Sequence, residues 1–443
     1  TRVFHHKPTL EECIESVQKQ YYSGEGAIQW TGEAVARANA DLLIHPEIKH
    51  DFLNAYNHGK ADIWLNTYFP ILRESEVAER LSRYGLNPCG EIIGNNFFCN
   101  LSEVHLNNLN PDNHWEQEEA FRAGALSVAA LLNHKFVVER YSKSRETDPI
   151  VGVSFTGLFD FFVNAFGVKW LRWWEQGRPA TPEGLNFKVK EQDYLSRWKK
   201  IVHDTIWEYC DKHGLKRPNR CTTVQPSGTK SLLTGASPGW HPPKAQRYIR
   251  RITFRKNDPV ALACIDYGYN VVPSQTDKDE YGNLLNDPFD SRCTEWLVEI
   301  PVAVNWASLP GVDAIDVSKF SVLAQFDFLM QVQKFYTTHN TSATLELRAD
   351  EIIPLGMRIY EAIKRDEGYI SAALLARFDD LQTFPRLPFE PIDEDTYNRL
   401  VQEVEQRSIT TDFQMALSIY DNGEEQLESG PAGCDSDKCM LPL

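Results

Sequence analysis

The sequence predicts an α/β fold. Short β-branched runs, clearest at residues 150–156 (IVGVSFT), alternate with longer stretches of helical apolar spacing along the whole chain. In addition, 42% of the 443 residues are hydrophobic, enough for a sizeable core. A chain of this length holds about two to four domains, or one large enzyme domain with additions. No internal repeat is visible.

In chain order, residues 8–22 and 31–44 read as helices separated by the turn-rich SGEG. Residues 60–72 are aromatic and apolar, and 74–84 are helical again. Residues 101–109 alternate as a strand does, Pro111 starts a turn, and 116–140 carry apolar residues at helical spacing. The strand at 150–156 ends at Gly157, and 158–166 continue as a helix. Residues 175–187, rich in Gly and Pro, read as a surface connection before a helix over 193–213 closed by Gly214. A short strand at 220–224 runs into QPSGTKSLL, TGASPGWHPP and a basic segment ending at Lys256. Strands follow near 269–273 and 296–304, a helix at 316–339, a strand at 342–347, helical sequence at 354–378 broken by Gly368, and a helix at 393–406. From Tyr420 onward the chain is acidic and contains Gly and Ser. Such a segment buries little apolar surface and is expected to be mobile.

Net charge is −16 and the isoelectric point about 5.3. That argues against broad electrostatic binding to a nucleic-acid polymer and for a soluble, cytoplasmic protein. No run of 18 apolar residues marks a membrane span, and the N-terminus lacks the apolar stretch of a secretory signal. The chain does not start with Met, so it is expected to begin after processing or to belong to something longer. Nine cysteines, widely spread in a chain too large to need disulfide staples, suit a reducing compartment with a few redox-active thiols. Cys13, Cys210, Cys221, Cys264 and Cys293 have no close partner in sequence and read as packing.

The stretch NPCGEIIGNNFFCNL, residues 87–101, holds the densest candidate chemistry. If it is extended, Asn87, Cys89 and Glu91 point to one side. That would set a thiol between a hydrogen-bonding amide and a possible acid/base, with Cys99 ten residues on. Two buried structural cysteines in a loop is the plain alternative. Cys434 and Cys439 form a second pair near the end. A pair of exposed thiols suggests thiol–disulfide exchange, while half a metal site completed by another chain, or an inert tail, stays open. In Gln225-Pro226-Ser227-Gly228-Thr229-Lys230-Ser231 a strand runs into small residues and a helix start. Backbone N–H groups and the Ser227 and Thr229 hydroxyls there suit phosphate, although an ordinary N-cap looks similar. Lys244, Arg247, Arg250, Arg251, Arg255 and Lys256 follow closely, as phosphate partners or as a solvated basic face.

Together these motifs resemble the ribonucleotide reductases. NPCGEI followed by FCNLSEV is similar to their active-site loop, TTVQPSGTKSLLTGASPGWHPP to their phosphate-binding loop, and GPAGCDSDKC to the redox tail of the adenosylcobalamin-dependent (class II) members. The order agrees across roughly residues 20–443, and the GWHPP and RYIRR continuation most resembles the monomeric ribonucleoside-triphosphate reductases. The resemblance implies part of a ten-stranded α/β barrel with a central finger loop over 1–390, a helical segment over 391–419, and a redox tail over 420–443. It implies that Cys89 is the thiyl radical residue that takes the ribose 3′-hydrogen, that Glu91 is the base on the 3′-hydroxyl, and that Asn87 orients the substrate. Cys99 would be one of two thiols that supply electrons, and Cys434 and Cys439 would reduce the resulting disulfide. Pro226, Ser227, Gly228 and Thr229 would hold the phosphates of a ribonucleoside triphosphate or diphosphate. Adenosylcobalamin would be the radical source and a thioredoxin-like protein the outside reductant, with no metal bound directly by protein side chains.

Two departures matter. The family's second active-site redox cysteine lies well upstream of NPCGE, and Cys13, in EECIES, does not match it. The family's effector region also lies largely in that missing part. The chain is therefore expected to be a C-terminal portion, inactive without an N-terminal half supplied as a separate chain or a spliced segment. The second departure is the absence of a DxHxxG cobalamin motif, which class II reductases do not need. Within the family, the large subunit of a di-iron (class I) diphosphate reductase is the alternative, but Phe335-Tyr336 stands where those have two tyrosines. The C-terminal RxxGY-type signature of the glycyl-radical class is absent too. Outside the family, a catalytically silent redox or zinc-binding protein on this scaffold is the alternative.

Overall fold

A computed structural model describes residues 1–377 and 386–420, together with the backbone of Cys434–Asp435 and Lys438–Cys439. The chain forms two compact units, Thr1–Pro242 with Lys319–Arg377, and Pro243–Ser318 with Phe378–Leu443. Among the described residues no helix is long and apolar enough to cross a membrane.

The first unit is α/β and organised by parallel strands. Leu101–His105 pairs with Ile150–Thr156, which pairs with Arg220–Thr222. A parallel bridge from Val224 to Thr341 carries the run onward, to Thr344–Leu347 and its parallel neighbour Ala373–Ala376. An antiparallel bridge from Ser371 to Gln29 then joins Ile28–Trp30, itself parallel to Arg2–Phe4. Five segments thus run one way and two the other. Among the described residues no pairing joins Arg2–Phe4 to Leu101–His105, so the run is open at both ends.

Ile150–Thr156 is buried at every position, as a parallel strand covered on both faces must be. Helix His114–Ala130 packs on it, and Trp198 of Pro182–Lys212 lies 6.3 Å from Phe155 of the strand. Trp198 joins an aromatic core with Phe159, Phe161 and Phe162 on Leu158–Phe166 and Trp170 and Trp174 on Val168–Glu175, all fully buried. The expected connection over 175–187 shrinks to residues 176–181. Thr181 caps the following helix by accepting from Gly184 N at 3.1 Å, and Pro182 fills its first turn. The helix expected over 116–140 is two, His114–Ala130 and Glu139–Thr147. The helical reading of 354–378 fails in its second half. Helix Ile352–Lys364 stops before Asp366, which takes φ +54°, and the chain returns as strand Ala373–Ala376. Helical spacing of Ile370, Leu374 and Leu375 did not reveal that the backbone of Leu374 and Leu375 pairs with Leu345 and Glu346, or that Ile370 O accepts from Trp30 N.

The second unit holds a four-stranded antiparallel sheet in the order Phe389–Pro391, Arg247–Arg255, Glu295–Ala303, Asn270–Pro273. Ala261, Cys264, Val271, Trp296 and Val298 form its core. The basic segment is therefore a strand, and its cations are largely paired within the unit. Arg247 meets Asp313 at 2.5 Å and Glu394 at 3.4 Å, and Arg251 meets Glu299 at 2.7 Å and Glu390 at 2.6 Å. Asp393 caps the helix Glu394–Arg407. The mobility expected from Tyr420 onward concerns side chains and connections outside the described residues. The described backbone there pairs Cys434 opposite Cys439 in an antiparallel register.

One buried ion pair fixes the helical layer of the first unit. Arg178 and Glu191, both with fully buried side chains, meet at 2.8 Å, and Asp327 meets Arg178 at 2.8 Å. Trp170 Nε1 donates to Glu191 at 2.8 Å. Replacing Arg178 by Met strands a buried carboxylate. Urea denaturation of Arg178→Met is expected to show a loss of about 3–5 kcal/mol. A loss below about 1 kcal/mol would mean that Glu191 finds another counter-charge.

Candidate active site

Residues 85–94 form a hairpin. Gly85–Leu86 pairs antiparallel with Ile93–Gly94, and Asn87 to Gly90 makes the turn, closed by Gly90 N donating to Asn87 O at 2.8 Å. Gly90 takes φ +76°, where a side chain would be strained. The extended path expected for 87–91 is thus replaced by a turn. Asn87 turns back on it: its Oδ1 accepts from Glu91 N and Ile92 N, both at 3.0 Å. Its visible role is to shape the hairpin tip. The same turn leaves Cys89 exposed and Glu91 only 2% exposed.

The tip is held from outside the hairpin. Glu91 O accepts from Asn340 N at 3.1 Å and from Thr223 Oγ1 at 2.7 Å. Asn340 Nδ2 donates to Gly90 O at 2.7 Å, and Ser342 Oγ donates to Cys89 O at 2.8 Å. Ile93 N donates to His339 Nδ1 at 3.1 Å, so Nδ1 is the acceptor and Nε2 carries the proton toward Val151 O at 2.9 Å. His339 is fully buried, and burial holds its pKa well below the usual imidazole value, which keeps this neutral tautomer. Arg37 fixes the same segment from behind, with Nη1 donating to Thr337 O at 2.5 Å and His339 O at 3.2 Å.

Burial raises the pKa of Glu91 above its ordinary value; the Asn87 hydrogen bond and the Lys230 charge oppose this. Its Oε2 is buried without a hydrogen-bond partner. Cys99 is half-buried, and burial pushes its thiol up to about 12, with Glu91 and Cys89 close enough to add to the shift. The Cys99 thiol thus feels the charges of Glu91 and Cys89, and Lys230 of the phosphate-loop motif lies within electrostatic reach of Glu91.

That motif starts two residues after Thr223. Ser227 takes φ +58°, and its hydroxyl donates to Glu103 Oε2 on Leu101–His105, two strands away from Arg220–Thr222. Lys230 lies 3.5 Å from the same oxygen. Ser154 Oγ accepts from Gln225 N at 2.9 Å, pinning the loop to the Ile150–Thr156 strand. Gly228 is half-buried and Thr229 exposed, while Pro226 links Gln225 to Ser227. The helix expected to open at Lys230 is a five-residue 3-10 turn, Lys230–Thr234. The helix-dipole argument therefore weakens, and the donors left are the hydroxyls of Ser227 and Thr229, Lys230 and backbone N–H groups. Asp160 braces the following turn, accepting from Ser237 N at 2.6 Å and Ser237 Oγ at 2.7 Å.

Cys13, Cys210, Cys221, Cys264 and Cys293 are all buried, so Cys89 and Cys99 are the accessible thiols among the described residues. Tyr336 is fully buried, its hydroxyl donating to Val153 O at 2.9 Å and its ring 4.7 Å from Phe155. It is a core residue. Among the described residues no group of three or more His, Cys, Asp or Glu is placed to hold a metal ion. Sequence reasoning missed Thr223, His339, Asn340, Ser342 and Glu103. One signal existed: TTHNTS, residues 337–342, is a run of six polar residues between a buried helix and a strand.

No protein-family model matches the chain. It is similar in sequence to the adenosylcobalamin-dependent ribonucleoside-triphosphate reductase of Levilactobacillus brevis, 26% identical over 421 residues that cover 93% of this chain and 53% of the relative. The protein of the same name from Lacticaseibacillus paracasei is 28% identical over 399 residues, covering 86% of this chain and 48% of that one. Among solved structures it resembles a B12-dependent (class II) ribonucleotide reductase with a TM-score of 0.57 and 23% identity, over 77% of this chain and 44% of that one. The resemblance read from three motifs is borne out, and the fold is of the ribonucleotide reductase type. The chain spans about half the length of the curated relatives it matches.

Two measurements probe this geometry. A carboxyl whose folded pKa lies above its unfolded value costs nothing in acid, where both states hold the proton. The penalty appears as pH rises from the ordinary 4.5 through the raised folded value. Glu91→Gln is therefore expected to raise the urea midpoint at pH 7 relative to wild type but not at pH 4, and an equal gain at both would contradict the raised pKa. Asn340→Ala removes the bond to Gly90 O. With about 1–3 kcal/mol lost locally, alkylation of Cys99 is expected to speed up about tenfold. An unchanged rate would show that Thr223 and Ser342 suffice.

Proposed function

We propose that this chain, a relative of the adenosylcobalamin-dependent ribonucleoside-triphosphate reductases, reduces ribonucleotides to 2′-deoxyribonucleotides as the C-terminal half of a thiyl-radical enzyme. One observation carries the reading: an exposed thiol, Cys89, and a buried carboxyl with a raised pKa, Glu91, sit at one hairpin tip held by the 339–342 segment, and both add to the raised pKa of a second thiol, Cys99.

In this reading Cys89, as a thiyl, takes the 3′-hydrogen of the ribose. Glu91 accepts the 3′-hydroxyl proton, a task that suits a carboxyl with an unpartnered buried oxygen and a pKa moved toward neutrality. The 2′-hydroxyl leaves as water. Cys99 and a partner thiol supply two electrons and two protons and become a disulfide, and Cys89 returns its hydrogen atom to C3′ of the product radical and becomes a thiyl again. Asn87 holds the tip in shape. Ser227 and Lys230 already converge on one carboxylate oxygen, that of Glu103, which supports Pro226 to Thr229 as a seat for a substrate oxyanion such as a triphosphate. Adenosylcobalamin, when bound, supplies the radical equivalent. Cys89 fits that need as the exposed thiol among the described cysteines. We assign residues 420–443 as the redox tail, in which Cys434 and Cys439, opposite each other in backbone register, reduce the active-site disulfide and are recharged by a thioredoxin-like protein.

The open run of strands and the buried state of Cys13 support a requirement for a second polypeptide. That polypeptide would add strands to the free edges and supply the partner thiol of Cys99. The purified chain with adenosylcobalamin, a ribonucleoside triphosphate and a dithiol is expected to form no deoxyribonucleotide. The complex co-purified from the native source is expected to form it, and Cys89→Ser is expected to abolish it while nucleotide still binds. Product from the Cys89→Ser complex would refute the radical role, and turnover by the isolated chain would refute the need for a partner.

A further inference from the structure

The helix Pro182–Lys212 carries a stripe unrelated to the thiols. Ser196, Lys199, His203 and Trp207 recur at three- and four-residue spacing, which puts them on one face. They form a wall of a groove of about 520 Å³, with Ile44 and Thr338 among the residues opposite.

Most of the polar groups in this groove are committed. Asp41 accepts from Arg80 at 3.1 and 3.0 Å and from Asn219 at 2.8 Å. Asp204 is paired with Lys200. Thr338 Oγ1 accepts from Cys221 N and Thr222 N at 3.0 Å each. His203 is neutral, because burial and then the Lys199 charge push its pKa down to about 3. Trp207 is fixed by its Nε1 donating to Pro218 O at 2.9 Å.

Lys199 is the exception. It is half-buried, and no hydrogen bond or ion pair reaches it among the described residues. Burial, then the charges of Arg37 and Lys49, push its ammonium down to about 8, and no acid offsets them. The Ser196 hydroxyl, one turn away, also has no partner among the described residues. A half-buried ammonium without a counter-ion is a cost that a bound anion removes. In a chain of net charge −16, this local positive potential would draw in an anion that most of the surface repels.

We propose that this groove binds a small organic monoanion, with its oxyanion on the Lys199 ammonium and Ser196 hydroxyl and a flat apolar body against Ile44 and the Trp207 ring. The site stands apart from the reductase reading and does not depend on it.

The probe is 8-anilinonaphthalene-1-sulfonate, a flat apolar body with one sulfonate, titrated by fluorescence into the full chain. One saturable class of sites is expected to weaken at least tenfold in Lys199→Met. Lys199→Arg is expected to keep it, as is Lys200→Met, which alters the same groove at a cation already paired with Asp204. Affinity is expected to hold below pH 8 and fall above it, since the sulfonate stays ionised while Lys199 loses its proton. The other titratable and charged groups facing Lys199 are His203, already neutral, and Arg37, Lys49, Asp41 and Asp204. Circular dichroism of each variant separates a lost site from a lost fold. Lys199→Met binding within twofold of wild type, equal losses in Lys199→Met and Lys200→Met, or a flat profile from pH 7 to pH 9.5 would each overturn the proposal.

Discussion

A hairpin tip carrying a thiol is useful only if its backbone is held by something other than the hairpin. Here the constraint is the carbonyl of Glu91, which accepts from the backbone of Asn340 and the hydroxyl of Thr223. Each donor belongs to a different strand segment of the parallel run. The tip is therefore placed by the sheet itself, and whatever shifts Thr223 or Asn340 shifts Cys89 and Glu91 with it. Arg37 extends this dependence to the helix Thr31–Ala38, through the carbonyls of Thr337 and His339.

The unit treats its buried carboxylates unequally. Glu191 faces Arg178, and Glu33 lies 2.9 Å from Arg37 and 2.7 Å from Lys49. Attraction to those cations holds Glu33 below its ordinary pKa despite burial. Glu91 is buried with no ion pair, only the distant pull of Lys230, and its pKa moves the other way. A structural carboxylate is neutralised by a neighbour, whereas one that exchanges protons must be left uncompensated. That contrast, within one fold, separates Glu91 from the other buried acids more clearly than its place in a motif does.

The edges of the sheet are equally informative. Five parallel segments and two opposed ones end in strands whose outer edges are unpaired among the described residues, and open edges invite pairing with another chain. The chain spans about half the length of the curated relatives it matches.

The sequence by itself determined the α/β alternation, the strands at 150–156 and 220–222, and the short list of chemically interesting residues. Those features rest on local pattern: β-branched runs, Gly and Pro at turns, cysteines beside an acid. It also set the five other cysteines aside as packing, which their burial bears out. Tertiary structure alone decided the rest. Asn87 reads in sequence as a residue in line with Cys89 and Glu91, yet the turn at Gly90 folds its side chain back onto the tip. Residues 373–376 sit in a stretch of helical spacing but pair with a strand, because a distant partner segment offers hydrogen bonds that spacing cannot anticipate. Arg247 and Arg251 look like a phosphate-binding face until the sheet sets Asp313, Glu299 and Glu390 against them. His339 and Asn340 lie 246 and 250 residues in sequence from the hairpin residues they bond, Ile93 and Gly90. Their role follows from non-local hydrogen bonds, whose partners no local pattern records.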